Sequence, residues 1–387
     1  MRVLWEGDFF VHHSLARFNR EVCRRLSADA DLRVRHLGCA PERVDARLVE
    51  EWSDLARASG SGGTDSWDVV VRHHWPPNPR PPERGRWIVR QPWEVGGVPV
   101  SWKPMLERLD ELWVPSEFTR RIFLENLGAR APRIEVVPDG VDTRVFRPDT
   151  GDGGAATGPL RLLYVGGTIW RKGIDIALDC YVKAFGGQRA SRDTLLLVKD
   201  LGSRSFYAGN TLAARAIAAA RDPANPPIAY TDRILTDGEM ARLYAAADAV
   251  LLPYRGEGFC LPALEALACG TPVIATAGGP TDELCGSEEM LLRIPSHRTW
   301  IQWGEPTFAP CWVLEPDRDA LVELLRSVAR DRERIRARRS ATARGLTVRQ
   351  AGVERFTWDR AARKASSRVR EVEGSDAEGG AGCEPAG

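Results

Sequence analysis

Short apolar runs alternate with stretches of helical spacing twice along this chain, and a glycine-rich break separates the two series. The first series has strand-like segments at 2–5, 32–37, 67–71, 87–89 and 112–114, with a helical pattern at 14–26. The second has strands at 162–165, 195–199, 228–230, 249–252 and 273–275, between helical stretches at 173–185, 211–220, 237–246 and 261–268. Apolar runs too short for helices, alternating with amphipathic helices, predict parallel sheets covered by helices. A chain of 387 residues exceeds one ordinary core. The expected fold class is therefore α/β, with two doubly wound, Rossmann-like units joined by a hinge.

Local signals agree with the pattern. Thr236 with Glu239 three residues on reads as a capping box, and Gly270 stands where a helix ends in a left-handed residue. The prolines of His74–Pro82 forbid helix and interior strand, so this segment is a loop of the kind that borders clefts. The expected organisation is a first unit over 1–148, a linker over 149–159 and a second unit over 160–353. Residues 318–340 read as one long arginine-rich helix, and the glycine-rich, acidic stretch 371–387 as a disordered tail.

Composition narrows the function classes. Lys+Arg 54 against Asp+Glu 53 gives no net field to attract nucleic acid. Only five basic residues are lysines, which draws attention to each, Lys172 included. Eight cysteines without a Cys-x-x-Cys pair indicate neither a zinc site nor a disulfide framework. Met1 leads directly into a strand-like run, and no apolar run approaches the roughly 20 residues that span a bilayer. The expected location is cytoplasmic, with at most peripheral contact at the inner membrane surface through the arginine-rich run 326–349 and the helix at 14–26; a solvated helix face is the better reading of both.

The segment Gly256–Thr276 carries most of the chemistry, as strand end, glycine-bearing loop, helix and strand. Such a loop exposes several backbone N–H groups at a helix N-terminus, where a diphosphate binds without a metal. Glu257 on the loop and Glu265 in the helix are too few charges to hold a metal, but suit hydrogen bonds from sugar hydroxyls at two points of an extended ligand. The pairs His12-His13 and His73-His74 invite a metal reading, but adjacent histidines diverge on regular structure and lack acidic partners at ligand spacing. Asp29-x-Asp31 and Asp317-x-Asp319 read as turn and cap residues. No metal site and no cofactor are expected.

At this segment the sequence resembles the retaining glycosyltransferases of family four (glycosyl transferases group 1), which have the GT-B fold. Glu257, seven intervening residues and Glu265, followed by Gly270-Thr271-Pro272-Val273-Ile274-Ala275-Thr276, look like the family signature. Trp113–Thr119 and Val136–Pro148 resemble its first-domain end, and Tyr164–Gly167 with Arg171-Lys172-Gly173 resembles its second-domain opening. Phe356-Thr357-Trp358 resembles its final segment, implying a helix at about 354–368 that returns to the first domain.

The resemblance implies a nucleotide diphosphate sugar, with UDP-sugar the commonest case, held by the second domain across a cleft from an acceptor on the first. The acceptor would be a small molecule, a glycan or a lipid-linked glycan. Lys172 would neutralise the diphosphate, Glu265 bind ribose hydroxyls and Glu257 bind donor-sugar hydroxyls. The backbone at Gly258, Phe259, Cys260 and Leu261 would face phosphates and sugar. Where the family often has Gly-Arg, this chain has Gly167, and Arg171 is the candidate second cation. Where the family commonly has a donor-sugar histidine, this chain has Gln91, with His73 and His74 as alternatives. Gly7 and the following loop with His12 and His13 would line the acceptor side. Retention of configuration is implied, with the leaving phosphate helping to take the acceptor proton.

Three other classes compete. A dinucleotide-dependent oxidoreductase would need Gly-x-Gly-x-x-Gly after a strand, which is missing here. A glycoside hydrolase would need carboxylates facing each other across a bond, whereas Glu257 and Glu265 suit the two ends of a nucleotide sugar. A catalytically silent GT-B subunit that binds sugar or nucleotide, or serves as a scaffold, stays open because of Gly167 and Gln91.

Overall fold

The computed structural model describes residues 1–37, 44–58, 66–148, 158–187, 193–284, 290–333, 336 and 352–374. The first sheet consists of β1 (Arg2–Gly7), β2 (Asp31–His36), β3 (Val69–His73), β4 (Arg86–Arg90), β5 (Glu111–Val114) and β6 (Arg133–Val136), in the order β2-β1-β3-β4-β5-β6. All its pairings are parallel. Every residue of β3 and β5 is buried, as parallel strands covered on both faces require. Helix α1 (Ser14–Leu26) covers it with Phe18, Val22 and Leu26, and His13 caps that helix by accepting the Ala16 N–H at 3.2 Å. Three short helices, α2 (Ala46–Glu51), α3 (Ser53–Arg57) and α4 (Lys103–Leu106), precede α5 (Glu117–Leu127), which Ser116 caps.

The second sheet is β7 (Leu160–Gly166), β8 (Thr194–Asp200), β9 (Ile228–Thr231), β10 (Ala249–Leu252), β11 (Val273–Thr276) and β12 (Leu291–Ile294), in the order β12-β11-β10-β7-β8-β9. It is also wholly parallel. Helices α6 (Ile174–Phe185), α7 (Ala213–Arg221), α8 (Asp237–Ala246), α9 (Leu261–Ala268) and α10 (Arg318–Arg330) belong to this unit. The capping box at Thr236 and Glu239 forms, and Gly270 takes φ 72° just past α9. Helices α1, α8 and α9 and strand β10 have the limits read from the pattern.

Three readings need correction. The helix expected over 318–340 is interrupted at Asp331, which leaves helical geometry and accepts from Ser327 Oγ at 3.4 Å, the local competition that makes Asp a poor interior residue; residues 332, 333 and 336 are helical again, and 334–335 and 337–340 lie outside the described residues. The last helix, α11, spans Trp358–Gly374 rather than 354–368 and takes in the first residues of the stretch read as a tail. Val369 and Val372 are buried, so an apolar face continues past 368. Residues 375–387 and most of the linker, 149–157, lie outside the described residues. A hairpin of β13 (Ser296–Trp300) and β14 (Trp312–Pro316) was not read at all, because its first strand alternates polar residues with little to bury.

The hairpin and α11 join the two units. Gly96 N donates to Trp312 O at 2.8 Å and Phe308 N to Val98 O at 2.9 Å. A Cβ on Gly96 would stand 2.1 Å from the Trp312 indole nitrogen, so only glycine admits this approach. Helix α11 lies against α1, with Arg25 Nε 2.6 Å from Asp359 and Arg368 Nη2 2.5 Å from the buried carboxylate of Glu111. Among the described residues no helix is long and apolar enough to cross a membrane, and Cys23, Cys180, Cys260, Cys269 and Cys311 are buried thiols outside any disulfide.

His73, at the end of β3, lies in a buried network. Its Nδ1 is 2.8 Å from Asn19 Oδ1, and its Nε2 faces Arg90 Nη1 at 3.0 Å. Burial, and after it the Arg90 charge, hold the imidazole well below its ordinary pKa of 6.5. The folded state therefore resists a proton that the unfolded chain accepts, so this contribution to stability is complete above about pH 6.5 and lost below it. The urea midpoint should fall between pH 7.5 and 5.5, less steeply in His73→Gln; equal slopes would assign the acid sensitivity elsewhere.

Candidate functional site

Strands β7 and β10 are neighbours although β8 and β9 lie between them in sequence, so the chain leaves them in opposite directions. In doubly wound sheets the crevice outside the carboxyl ends of such strands is where ligands bind. Two loops rise there together, Gly166–Gly173 after β7 and Pro253–Cys260 after β10. Gly173 has φ 71°, and a Cβ on it would stand 1.9 Å from Pro253 O, so the loops pack through a position only glycine can fill.

Arg255 fastens this pair. Its guanidinium bonds Asp175 at 2.8 and 2.9 Å, Glu315 at 2.6 and 3.2 Å, and the Trp170 carbonyl at 2.8 Å. Its backbone N–H donates to Arg171 O at 2.7 Å. These bonds set Arg171 and Lys172 opposite Glu257. Lys172 Nζ lies 2.5 Å from Glu257 Oε1; Arg171 Nη1 donates to Gly256 O at 2.7 Å, and its Nη2 stands 3.4 Å from Glu94. Burial works to lower the Lys172 pKa, and the surrounding groups, Glu257 foremost, together raise it; Arg171 is likewise raised against burial, by Glu94 first. Both cations therefore stay charged inside a site that is largely closed to water.

Gly258, Phe259, Cys260 and Leu261 follow, all buried, and lead into α9. Cys260 has φ 73°, which makes it the single non-glycine residue with positive φ among the described residues. Such strain persists only where surrounding structure enforces it, and it clusters at functional loops. No side chain caps α9, so the N–H groups of its first turn have no side-chain partner and leave positive potential at this end of the helix. Burial raises the Cys260 thiol, leaving it protonated.

One helical turn on, Glu265 accepts Tyr244 Oη at 2.8 Å and Arg17 Nη1 at 2.6 Å. Arg17 belongs to α1 of the first unit and bonds Asp237 with its other nitrogen at 2.9 Å. Burial raises the Glu265 carboxyl, and the Arg17 charge opposes it.

The first unit closes the site with the carboxyl ends of its own strands. Ser116 Oγ and Thr119 Oγ1 donate to Gly258 O at 2.7 and 3.3 Å, and Glu283 of the second unit accepts the Glu117 and Phe118 N–H groups at 3.0 and 2.7 Å. Gln91 is buried, its ring neighbour Pro92 reaches Gly258, and its Oε1 has no hydrogen-bond partner among the described residues. His74 Nε2 is buried and unpartnered in the same sense. His73 is committed to Asn19 and Arg90, which removes it from contact with a donor sugar. Gly7 serves packing: a Cβ there would meet His73 O at 2.3 Å and Asn19 Nδ2 at 2.5 Å. His12 is exposed and paired with Asp45 at 2.8 Å, while His13 lies 3.4 Å from Asp8 and sets its ring edge-on to Phe206 of the second unit. The sequence reading missed Arg17, Glu94, Tyr244 and Arg255. Only Glu94, beside the Gln91-Pro92-Trp93 loop, had a local signal. Among the described residues no cluster of three or more His, Cys, Asp or Glu is arranged to hold a metal ion.

Two facing Rossmann-like units with a crevice at the second unit's switch point make up the GT-B fold. Solved structures agree: the sucrose-phosphate synthase of Thermosynechococcus elongatus matches with a TM-score of 0.65 at 17% identity, covering 97% of this chain and 100% of that one. HepE of Anabaena, solved in complex with UDP-glucose, matches with a TM-score of 0.60 at 12% identity, covering 96% of this chain and 100% of that one. Residues 159–299 match the family described as glycosyl transferases group 1. A D-inositol 3-phosphate glycosyltransferase of Actinosynnema mirum is 28% identical over 342 residues, covering 74% of this chain and 77% of that relative. Residues 159–299 thus carry the match to the glycosyl transferases group 1 family, and the likeness to glycosyltransferases extends over about three quarters of the chain.

The Arg17–Glu265 contact is testable apart from activity. Arg17→Ala leaves a buried carboxylate with its charge uncompensated; as Arg17 is 18% exposed, the loss should be about 2 kcal/mol, below the 3–5 typical of fully buried pairs. Glu265→Gln in that background should recover part of it. Unchanged urea midpoints throughout would show that the bridge contributes nothing.

Proposed function

We propose that the chain transfers a hexose-type sugar from a nucleotide diphosphate sugar, UDP-sugar being the favoured donor, to a small-molecule, glycan or lipid-linked acceptor. Configuration is retained and no metal is required. The observation that carries this reading is the convergence, at one switch point, of the uncapped α9 N-terminus, the Arg171–Lys172 cation pair, and the carboxylates Glu257 and Glu265.

In this reading the diphosphate lies between the α9 N-terminus and Lys172, with Glu257 and Glu265 at the two ends of the ligand. The backbone N–H groups at Gly258–Leu261 and the ammonium of Lys172 stabilise the charge that develops on the leaving phosphate, the main electrostatic lever in such a reaction. Arg171 orders the loop through Gly256 O and adds positive potential. Glu257 accepts donor-sugar hydroxyls with lone pairs that Lys172 leaves free. Glu265 does the same for ribose, with Arg17 retained on one oxygen or displaced. Gln91, with its unpartnered Oε1, serves as an acceptor for a sugar hydroxyl from the first unit. The acceptor attacks from the same face, and the departing phosphate oxygen takes its proton.

A silent nucleotide-binding subunit is favoured by one observation, that Glu265 is already engaged by Arg17. The two readings separate in a thermal-shift screen against UDP, GDP, ADP and dTDP and their sugars, because a ligand of the native state raises stability. A rise with one nucleotide that vanishes in Glu265→Ala, together with slow hydrolysis or transfer of its sugar, is the expected result. Binding without turnover across many acceptors would favour the silent subunit, and no shift with any nucleotide would sink the donor site. With an active donor, Lys172→Ala and Arg171→Ala should each lower kcat/KM at least about tenfold, a loss of about 1.4 kcal/mol or more. An unchanged value would remove that residue from the site.

A further inference from the structure

Gly167 departs from the family pattern, and the structure shows what fills the space. A Cβ on Gly167 would stand 2.3 and 2.6 Å from Cε2 and Cδ2 of Tyr207. No side chain fits at 167 while Tyr207 is in place. Tyr207 comes from the loop between β8 and α7, whose two ends are bonded to the residues flanking Gly167. Leu201 N donates to Gly166 O at 3.1 Å and Leu212 N to Thr168 O at 2.5 Å. Thr168 Oγ1 also bonds Thr211 Oγ1 at 2.7 Å and Asp200 at 3.0 Å, and Tyr230 Oη donates to the same Asp200 at 2.6 Å. The ring is thus held over the turn by bonds at both ends of its loop, with Tyr207 N donating to Gly202 O at 2.9 Å within it.

The same turn borders the cations. Lys172 Cδ passes 3.4 Å from the Cβ position of Gly166, and the Tyr207 phenol is within electrostatic reach of both Lys172 and Arg171. Among the described residues no hydrogen bond uses the Tyr207 hydroxyl, and the residue is half-buried. The phenol thus shares one turn with Lys172 and Arg171, on a glycine that makes room for its ring, and its hydroxyl can donate to an anion bound there.

We infer that Tyr207 is a further donor-binding residue, its hydroxyl donating to a non-bridging oxygen of the nucleotide diphosphate. It supplies as a hydrogen bond what a side chain on residue 167 cannot supply, so Gly167 and Tyr207 work as a matched pair. This inference rests on the reading of the pocket as a diphosphate site.

The test is calorimetric titration of the full chain with UDP and with uridine, which lacks the phosphates. Tyr207→Phe keeps the ring and removes only the hydroxyl; it should weaken UDP about tenfold, the size expected for a hydrogen bond to a charged group, and leave uridine unchanged. Gly167→Ala should weaken UDP while Tyr207 is present and much less in Tyr207→Gly, since the clash is with the ring. Equal UDP affinity in Tyr207→Phe and the unaltered chain overturns the inference, as does equal weakening of UDP and uridine, which would mean a deformed pocket. If the unaltered chain binds none of UDP, GDP, ADP or dTDP, the donor-site reading falls and takes this inference with it; binding by the unaltered chain separates the two failures.

Discussion

The buried guanidinium of Arg255 is the contact on which the rest of the site depends. It holds Asp175 at the start of α6, Glu315 on β14 and the carbonyl of Trp170 at once, and it lies over the Trp170 ring at 4.4 Å. The cation-bearing turn, the carboxylate-bearing loop and the hairpin that reaches the first unit therefore move as one piece. A charge network of this kind is costly to bury and gains little net stability over apolar packing, but each of its hydrogen bonds specifies a position. Here that position is the separation between Lys172 and Glu257.

The interface between the units adds a second level of order. The Gly258 carbonyl is bonded from Ser116 and Thr119, the Phe259 ring packs edge-on to Phe356 of the segment leading into α11, and Glu265 is bonded from Arg17. The second unit's functional loop thus takes part of its shape from the first unit and from the returning chain. Opening of the cleft would release all three contacts together. The strained backbone at Cys260 sits in the middle of these contacts, where it is held from both sides.

The framework was legible where local chemistry and burial periodicity agree. Thr236 and Glu239 cap their helix by contacts three residues apart, and the strand at 249–252 is an apolar run that could serve nothing else. β6 and β13 were not legible, because an edge strand and an extension that bury one face or none carry no apolar pattern; the buried apolar run of β14 at 312–314 carried one that went unread. The break at Asp331 within 318–340 was not legible, because arginine favours helix on both sides of it and one Asp does not outweigh that run. Glu257, Lys172 and Arg171 were legible because they lie on the strand-to-helix loops where a doubly wound sheet presents its ligands, and Glu265 because it follows Glu257 at a recurrent spacing, on the helix that the loop leads into.

What the sequence determined by itself was therefore the alternation of short apolar runs and helices, the resulting pair of doubly wound units, and the loop residues on the second of them. Those features depend on contacts within a few residues or on the period of burial, and both are written along the chain. Only the tertiary structure decided that Arg17 meets Glu265 from 248 residues away, that Arg255 ties its own loop to two distant segments, that His73 is bonded within a buried network, and that Tyr207 fills the space above Gly167. An arginine on the polar side of a helix looks the same in sequence whether water or a carboxylate faces it, and a glycine does not record which ring lies over it. The reason is physical: these contacts are set by how two sheets and their crossing segments pack in space, and sequence separation carries no information about that distance.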